Sequence, residues 1–225
     1  LWLGECRRRR GERVVPPVVL VAAVAATVMV PWMAFNLARF ENPVLLTTND
    51  GTTWLGANCE AAYGGQALGG WTLGCVINDP LYRMDEEPSV RSARQRSMAV
   101  QYVRDNLADV PKVVAARIGR TLDLYGLGNL VAQDVGEERP RWASWAGIVS
   151  FWAMAAASVA GAPLLRRRDR WLLVLPCIVV LITTVLFYGG HRIRSSAEPT
   201  LVLLSAVWLA TAIDQRRRHQ QGDHQ

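Results

Sequence analysis

Pro31 to Cys59 reads PWMAFNLARFENPVLLTTNDGTTWLGANC. An apolar segment of membrane length, Val14 to Phe35, ends inside this stretch, and a polar, turn-rich sequence begins there. The change places a membrane boundary between Trp32 and Arg39 and opens a large segment beyond it. Val44 to Thr48 is rich in strand-forming residues, and Asn49-Asp50-Gly51 after it is a strong turn signal. The stretch therefore predicts a membrane helix followed by a strand and a loop.

Four segments are long and apolar enough for a bilayer, which needs about 20 apolar residues per helix. They are residues 14–35, 142–165, 171–188 and the short 199–213. Pro16 and Pro17 sit in the first turn of the first helix, where proline costs little. Gly147 to Ala162 is rich in small residues at close-packing spacings. Arginines cluster at 7–10 with Arg13, at 166–170 and at 216–218. By the positive-inside rule these ends are cytoplasmic. Trp32, Trp142, Trp145 and Trp171 fall near the span ends, as an interfacial belt does.

The organisation that follows is a cytoplasmic basic segment (1–13), the first helix (14–35), an extracytoplasmic domain (36–141) and the second helix (142–165). A cytoplasmic loop (166–170), the third helix (171–188), a short outer loop (189–198), the fourth helix (199–213) and a cytoplasmic tail (214–225) complete it. The predicted class is mainly α: a multi-pass protein of the cell (plasma) membrane with about four transmembrane helices and one mixed α/β extracytoplasmic domain.

The chain is 51% hydrophobic with a formal net charge of +6. Its basic residues lie beside apolar segments and not along one soluble face, which argues against a nucleic-acid partner. The partner this pattern favours is the membrane lipid itself. No signal-peptide cleavage pattern follows the first basic cluster. A beginning at Leu1, inside a charged segment, reads as a fragment or an unusual start codon.

The outer segment holds 11 Arg/Lys and 13 Asp/Glu, so it is close to neutral. Val90, Ala93, Val100, Val103 and Leu107 recur at helical spacing and predict a helix over 89–107. Val114, Ile118 and Leu122 predict a second over 111–125, stopped at Gly126-Leu127-Gly128. Cys59 and Cys75 both lie outside, where disulfides persist, and are expected to be bridged, two free thiols being the alternative. Cys6 and Cys177 are placed where neither is a sensible partner.

Candidate chemistry concentrates in the short outer loop, Gly189 to Pro199. Arg192 and Arg194 break the positive-inside pattern at membrane depth, where charge is expensive and often functional. Guanidinium donors match phosphate oxygens, so the pair can take a lipid-linked phosphate; snorkelling onto headgroups explains it equally well. His191 is a proton relay or a solvated loop residue. Asp50 in Asn49-Asp50-Gly51 holds substrate or closes a turn. Asp85-Glu86-Glu87 reads as a solvated helix approach before Pro88, and no metal site is assigned. Arg91, Arg94, Arg96 and Arg104 read as the solvated side of the first outer helix. Arg117 and Arg120 reach membrane phosphates or pair with Asp123 or Asp109. No HExxH, GxSxG, P-loop, dinucleotide or zinc motif is present.

The order of Pro31-Trp32, Asn36, Arg39-Phe40, Val44, Thr47-Thr48-Asn49-Asp50-Gly51 and Gly56-Ala57-Asn58-Cys59 resembles a stretch following a late span in bacterial polytopic glycosyltransferases. These are the type-C enzymes similar to dolichyl-phosphate-mannose-protein mannosyltransferases. Glu87, Ser89, Arg96, Ala99 and Tyr102, then Pro111, Arg117 and Arg120, fit the same pattern. So does His191-Arg192-Ile193-Arg194 through Glu198-Pro199. Phe35 and Ile193 depart from it, standing where many members have an arginine and an aromatic residue.

The resemblance implies transfer of a sugar from a polyprenyl-phosphate donor to an extracytoplasmic acceptor, with no certain cofactor. It implies that this chain is the C-terminal part of such an enzyme and that the acidic general base lies upstream. It makes Arg192 and Arg194 the donor-phosphate contacts and puts Asn49, Asp50, Asn58, His191 and Glu198 at a substrate cavity. The fragment alone would then be inactive. The competing expectation is a non-catalytic membrane protein whose outer domain binds a partner in envelope assembly. A transporter subunit is the weakest reading, because no span carries a buried charge or a broken helix suited to a substrate path.

Overall fold

Apolar runs without strand-like alternation become helices almost everywhere in this chain. The structure, a computed structural model, describes residues 15–81, 83 and 85–222. The basic segment at 7–13 and Cys6 lie outside the described residues. The helices are α1 (Val15–Arg39), α2 (Asp50–Ala57), α3 (Glu60–Tyr63), α4 (Leu73–Ile77), α5 (Pro88–Asp105), α6 (Val110–Thr121), α7 (Leu127–Gly136), α8 (Arg141–Gly161), α9 (Arg167–Leu186), α10 (His191–Arg194) and α11 (Glu198–Gly222).

Four stretches are long and apolar enough to cross a membrane: Val19–Arg39, Arg141–Leu164, Arg167–Leu186 and His191–Arg218. The fourth is longer than the 199–213 expected, because α10 and a 3₁₀ turn lead directly into α11. Large apolar side chains such as Val28, Val149, Ile182 and Leu203 are exposed along these helices, as a lipid-facing surface requires.

The expected α/β domain is not formed, and the described residues contain no strand. Residues 44–48 are irregular. Val44 is buried. The carbonyls of Leu45 and Leu46 accept hydrogen bonds from Asn36 Nδ2 (3.1 and 3.4 Å), and Leu46 O also accepts from Trp32 Nε1 (3.1 Å). Those carbonyls serve the end of α1 instead of a ladder. Asn49-Asp50-Gly51 is likewise no hairpin turn, having no strand to return. It starts α2, with Thr53 N donating to Asn49 O at 3.0 Å.

The chain divides into two compact units, residues 15–63 with 71–110 and residues 64–70 with 111–222, so the segment 36–141 contributes to both. In the first unit α2 packs on α5. Gly51 makes this possible: a Cβ there would run into the backbone of Ser92. Gly51 N donates to Ser92 Oγ (3.0 Å), and Ser92 Oγ donates to Asp50 Oδ1 (2.5 Å). Cys59 and Cys75 are bonded, their Cα atoms 6.4 Å apart across a separation of 16 residues. Closing a loop of that length stabilises the folded chain by about 3 kcal/mol.

The acidic triplet is divided between two tasks. Glu86 pairs with Arg94 (2.8 Å), which also reaches Asp79 Oδ2 (2.6 Å), so Arg94 is not on a purely solvated face. Glu87 caps α5, accepting from the backbone of Ser89 (2.9 Å) and Val90 (3.0 Å). Burial raises the Glu87 pKa, but the bonds from Ser89 and Val90 outweigh it and hold the carboxyl below its ordinary 4.5. A lowered folded-state pKa contributes stability that is complete above the unfolded value and lost as pH falls through the folded one. Wild-type stability is therefore expected to decline below about pH 4.5 more steeply than that of Glu87→Gln, read from denaturant midpoints at pH 3 to 7. Parallel curves for the two proteins would show that the cap carries no acid sensitivity.

In the second unit α8 packs on α11. Gly161 lies against the backbone of Leu204, and no Cβ fits between them. Ser158 Oγ donates to Leu201 O (2.7 Å) and Ser205 Oγ to Met154 O (2.9 Å). Small residues with hydroxyl bonds are how helices associate where lipid supplies no hydrophobic drive.

Candidate functional site

The segment Gly189 to Glu198 is a docked turn of the second unit and not a solvated loop. Gly189 N donates to Gly69 O (2.9 Å), and a Cβ on Gly189 would strike the carbonyl of Arg117. Gly190 N donates to the Thr121 hydroxyl (3.2 Å), which lies 3.1 Å from the Thr184 hydroxyl. The Gly189-Gly190 pair thus lets the backbone sit directly on the end of α6.

This docking brings Arg194 and His191 to Asp123. Asp123 follows α6 with φ +52°, a left-handed conformation that aspartate tolerates better than most residues. Arg194 Nη1 donates to Asp123 Oδ2 (2.5 Å) and to Thr121 O (3.1 Å), and Nε donates to Glu198 Oε1 (3.3 Å). Its guanidinium lies 3.5 Å from the centre of the Phe151 ring. His191 Nδ1 lies 2.8 Å from Asp123 Oδ1, and Nε2 lies 4.0 Å from Asp134 Oδ2. The Arg194 and Asp123 side chains are both buried.

Arg192 faces elsewhere. Residues two apart on a helix are rotated by about 200°, so the two guanidiniums of α10 diverge. Arg192 pairs with Glu137, and both side chains are exposed, at 74% and 48%. Exposed pairs of this kind are worth about 0–1 kcal/mol. Arg192 is therefore free to change partner, whereas Arg194 is committed.

Two cavities meet here. A polar one of about 360 Å³ is lined by Asp134, Glu137, Arg139, Ser144, His191, Arg192, Arg194 and Glu198, among others. An apolar one of about 460 Å³ lies among α8, α9 and α11, lined by residues such as Val159, Val174, Cys177, Leu181 and Leu201. Arg194 and Phe151 line both. The arrangement suits an amphipathic ligand, with an apolar chain on one side of Arg194 and a polar head on the other.

Of the residues expected at a site, His191, Arg192, Arg194 and Glu198 come together around the polar cavity. Asn49, Asp50 and Asn58 belong to the first unit. There Asp50 pairs with Arg96 (2.5 Å), and Asn58 bonds Trp54 O (3.0 Å) and accepts from the Tyr63 hydroxyl (3.2 Å). In the sequence Asp123 reads only as a partner for Arg117 or Arg120, and no local pattern marks Ser144, Asp134 or Glu137. The Gly-Gly pair before His191 was the one local sign that this turn packs closely. Among the described residues no three His, Cys, Asp or Glu side chains gather as a metal site. No family profile, curated protein or solved structure matches this chain.

Proposed function

We propose that this chain is part of an integral membrane glycosyltransferase. It takes a sugar from a polyprenyl-phosphate-linked donor and passes it to an acceptor on the extracytoplasmic side, where the arginine distribution puts residues 36–141. The observation that carries the reading is the pair of cavities, one apolar and one polar, that share Arg194 and Phe151 in their walls. An isoprenoid chain fits the apolar cavity, and a charged, sugar-bearing head fits the polar one.

On this reading Arg192 is the donor-phosphate contact. Its exposed pair with Glu137 is exchanged for phosphate at small cost, and its charge meets the negative charge that grows on the departing lipid phosphate. Arg194 supports the cavity wall from behind. The general base is supplied by another part of the enzyme.

The test is transfer of label from a radiolabelled polyprenyl-phosphate hexose, in membranes expressing the protein from its whole native gene. Arg192→Ala is expected to lower transfer by about a hundredfold while membrane insertion is unchanged. Undiminished transfer would remove Arg192 from the site. No transfer by the wild-type protein, with mannose-, glucose- and arabinose-bearing donors alike, would remove the glycosyltransferase reading.

A further inference from the structure

The wall of the polar cavity is already balanced in charge. Asp134 faces Arg139 (3.4 Å), Glu137 faces Arg192, and Glu198 faces Arg194 (3.3 Å). A second anion deep in this space would meet three carboxylates and no uncommitted cation. An uncharged ligand meets no such penalty.

Among the residues lining this cavity, two buried polar atoms nevertheless lack a hydrogen-bond partner, Ser144 Oγ and His191 Nε2, and Asp123 Oδ1 beside His191 lacks one as well. Ser144 is only 3% exposed. A buried hydroxyl or imidazole nitrogen left without a hydrogen bond costs about 1–3 kcal/mol, so a ligand that supplies the bonds recovers that cost. An imidazole nitrogen donates when it carries a proton and accepts when it does not, and Ser144 Oγ both donates and accepts. The matching chemical group is a hydroxyl, which can give or take a bond at both atoms.

We propose that Ser144 and His191 form a hydroxyl-reading subsite that selects an uncharged, polyhydroxylated head group, the ring of a glycoside. The assignment rests on the proposed function for the lipid-linked character of the ligand. It adds which residues recognise the head, and it places the phosphate at the mouth of the cavity with Arg192.

The experiment uses the full protein in phosphatidylcholine nanodiscs. Three tritiated probes share one decyl chain: decyl β-D-glucopyranoside, decyl phosphate and the decyl ether of tetraethylene glycol. The glycoside is expected to bind more tightly than the ether. Ser144→Ala and His191→Ala are each expected to weaken glycoside binding by about tenfold, with decyl phosphate unaffected and the thermal midpoint of Ser144→Ala unchanged. His191→Gln, which keeps a side-chain acceptor, is expected to recover part of the loss. Glycoside binding that equals ether binding, or that both alanine variants leave intact, overturns the subsite. Failure of the phosphate contact reads separately: Arg192→Ala would then bind decyl phosphate as the wild type does, with the glycoside result unaffected.

Discussion

Arg194→Ala is expected to lower the stability of the second unit by about 3–5 kcal/mol. The reason is Asp123. Its side chain is fully buried, and Arg194 provides its charge-assisted bond at 2.5 Å. Removing the arginine leaves a carboxylate in a low-dielectric setting without its charged partner. The same change deletes the bond to Thr121 O and the contact over Phe151, loosening the turn from the end of α6. Thermal unfolding in detergent, followed by near-ultraviolet circular dichroism, measures the loss. The double variant Arg194→Met/Asp123→Asn removes both charges and keeps most of the volume. It should recover much of the stability, because a buried ion pair is costly to halve but not to replace. Equal losses in the single and double variants would show that packing, and not the uncompensated charge, sets the cost.

This role for Arg194 was hidden for a definite reason. The Arg-x-Arg spacing suggests a fork only if the segment is extended, where both side chains can turn to one ligand. In a helical turn the same spacing sends them apart, and although Gly189-Gly190 signals close packing, nothing in the local sequence says that the surface it meets is the end of α6. The decisive partner, Asp123, is 71 residues away from Arg194. By contrast, the four helices long and apolar enough to cross a membrane were legible, because length and apolarity alone decide them. So was α5, expected over 89–107 and formed over Pro88–Asp105, because period and cap agree there.

The strand at Val44 to Thr48 failed because β-branched content says only that a residue suits a pleated surface. Whether a pleated partner exists is a tertiary matter, and here the carbonyls were taken by Asn36 and Trp32. The helix expected to run to the Gly126-Leu127-Gly128 stop ends earlier, at Thr121, where Asp123 takes a left-handed φ of +52°, and Gly126, at φ +66°, caps the start of α7 instead. A stop signal marks a change of direction, not the end of helical structure.

The second large effect is expected at Arg120, which is 0% exposed. Its Nε donates to Leu68 O (2.7 Å), Nη1 to Asn129 Oδ1 (3.0 Å) and Nη2 to Gln66 O. These acceptors are uncharged, and burial pushes the guanidinium pKa below its ordinary value. It remains far from losing its proton, since arginine is not deprotonated in proteins. Tyr125 covers one side at 5.7 Å from ring centre to guanidinium carbon, and Gly126 lies so near that a Cβ there would approach that carbon to 2.9 Å.

Residues 64–70 belong to the second unit although residues on both sides of them belong to the first. Two of their carbonyls end on Arg120, and a third, from Gly69, receives Gly189 N. Arg120→Met should therefore leave three partly buried acceptors without their donor and cost about 3 kcal/mol. Arg120→Lys keeps a charge but not the fork, and should recover only a fraction. Hydrogen exchange separates local from global loss: amides of 64–70 and of Gly189 are expected to exchange faster in Arg120→Met than those of α8 and α11. Uniform acceleration across the unit would mean that Arg120 holds the unit as a whole and not this segment. Unchanged exchange would mean that the segment is held by its own turns. Because Gly189 immediately precedes the turn bearing His191, Arg192 and Arg194, a selective loss would make Arg120 the distant support on which the geometry of the polar cavity depends.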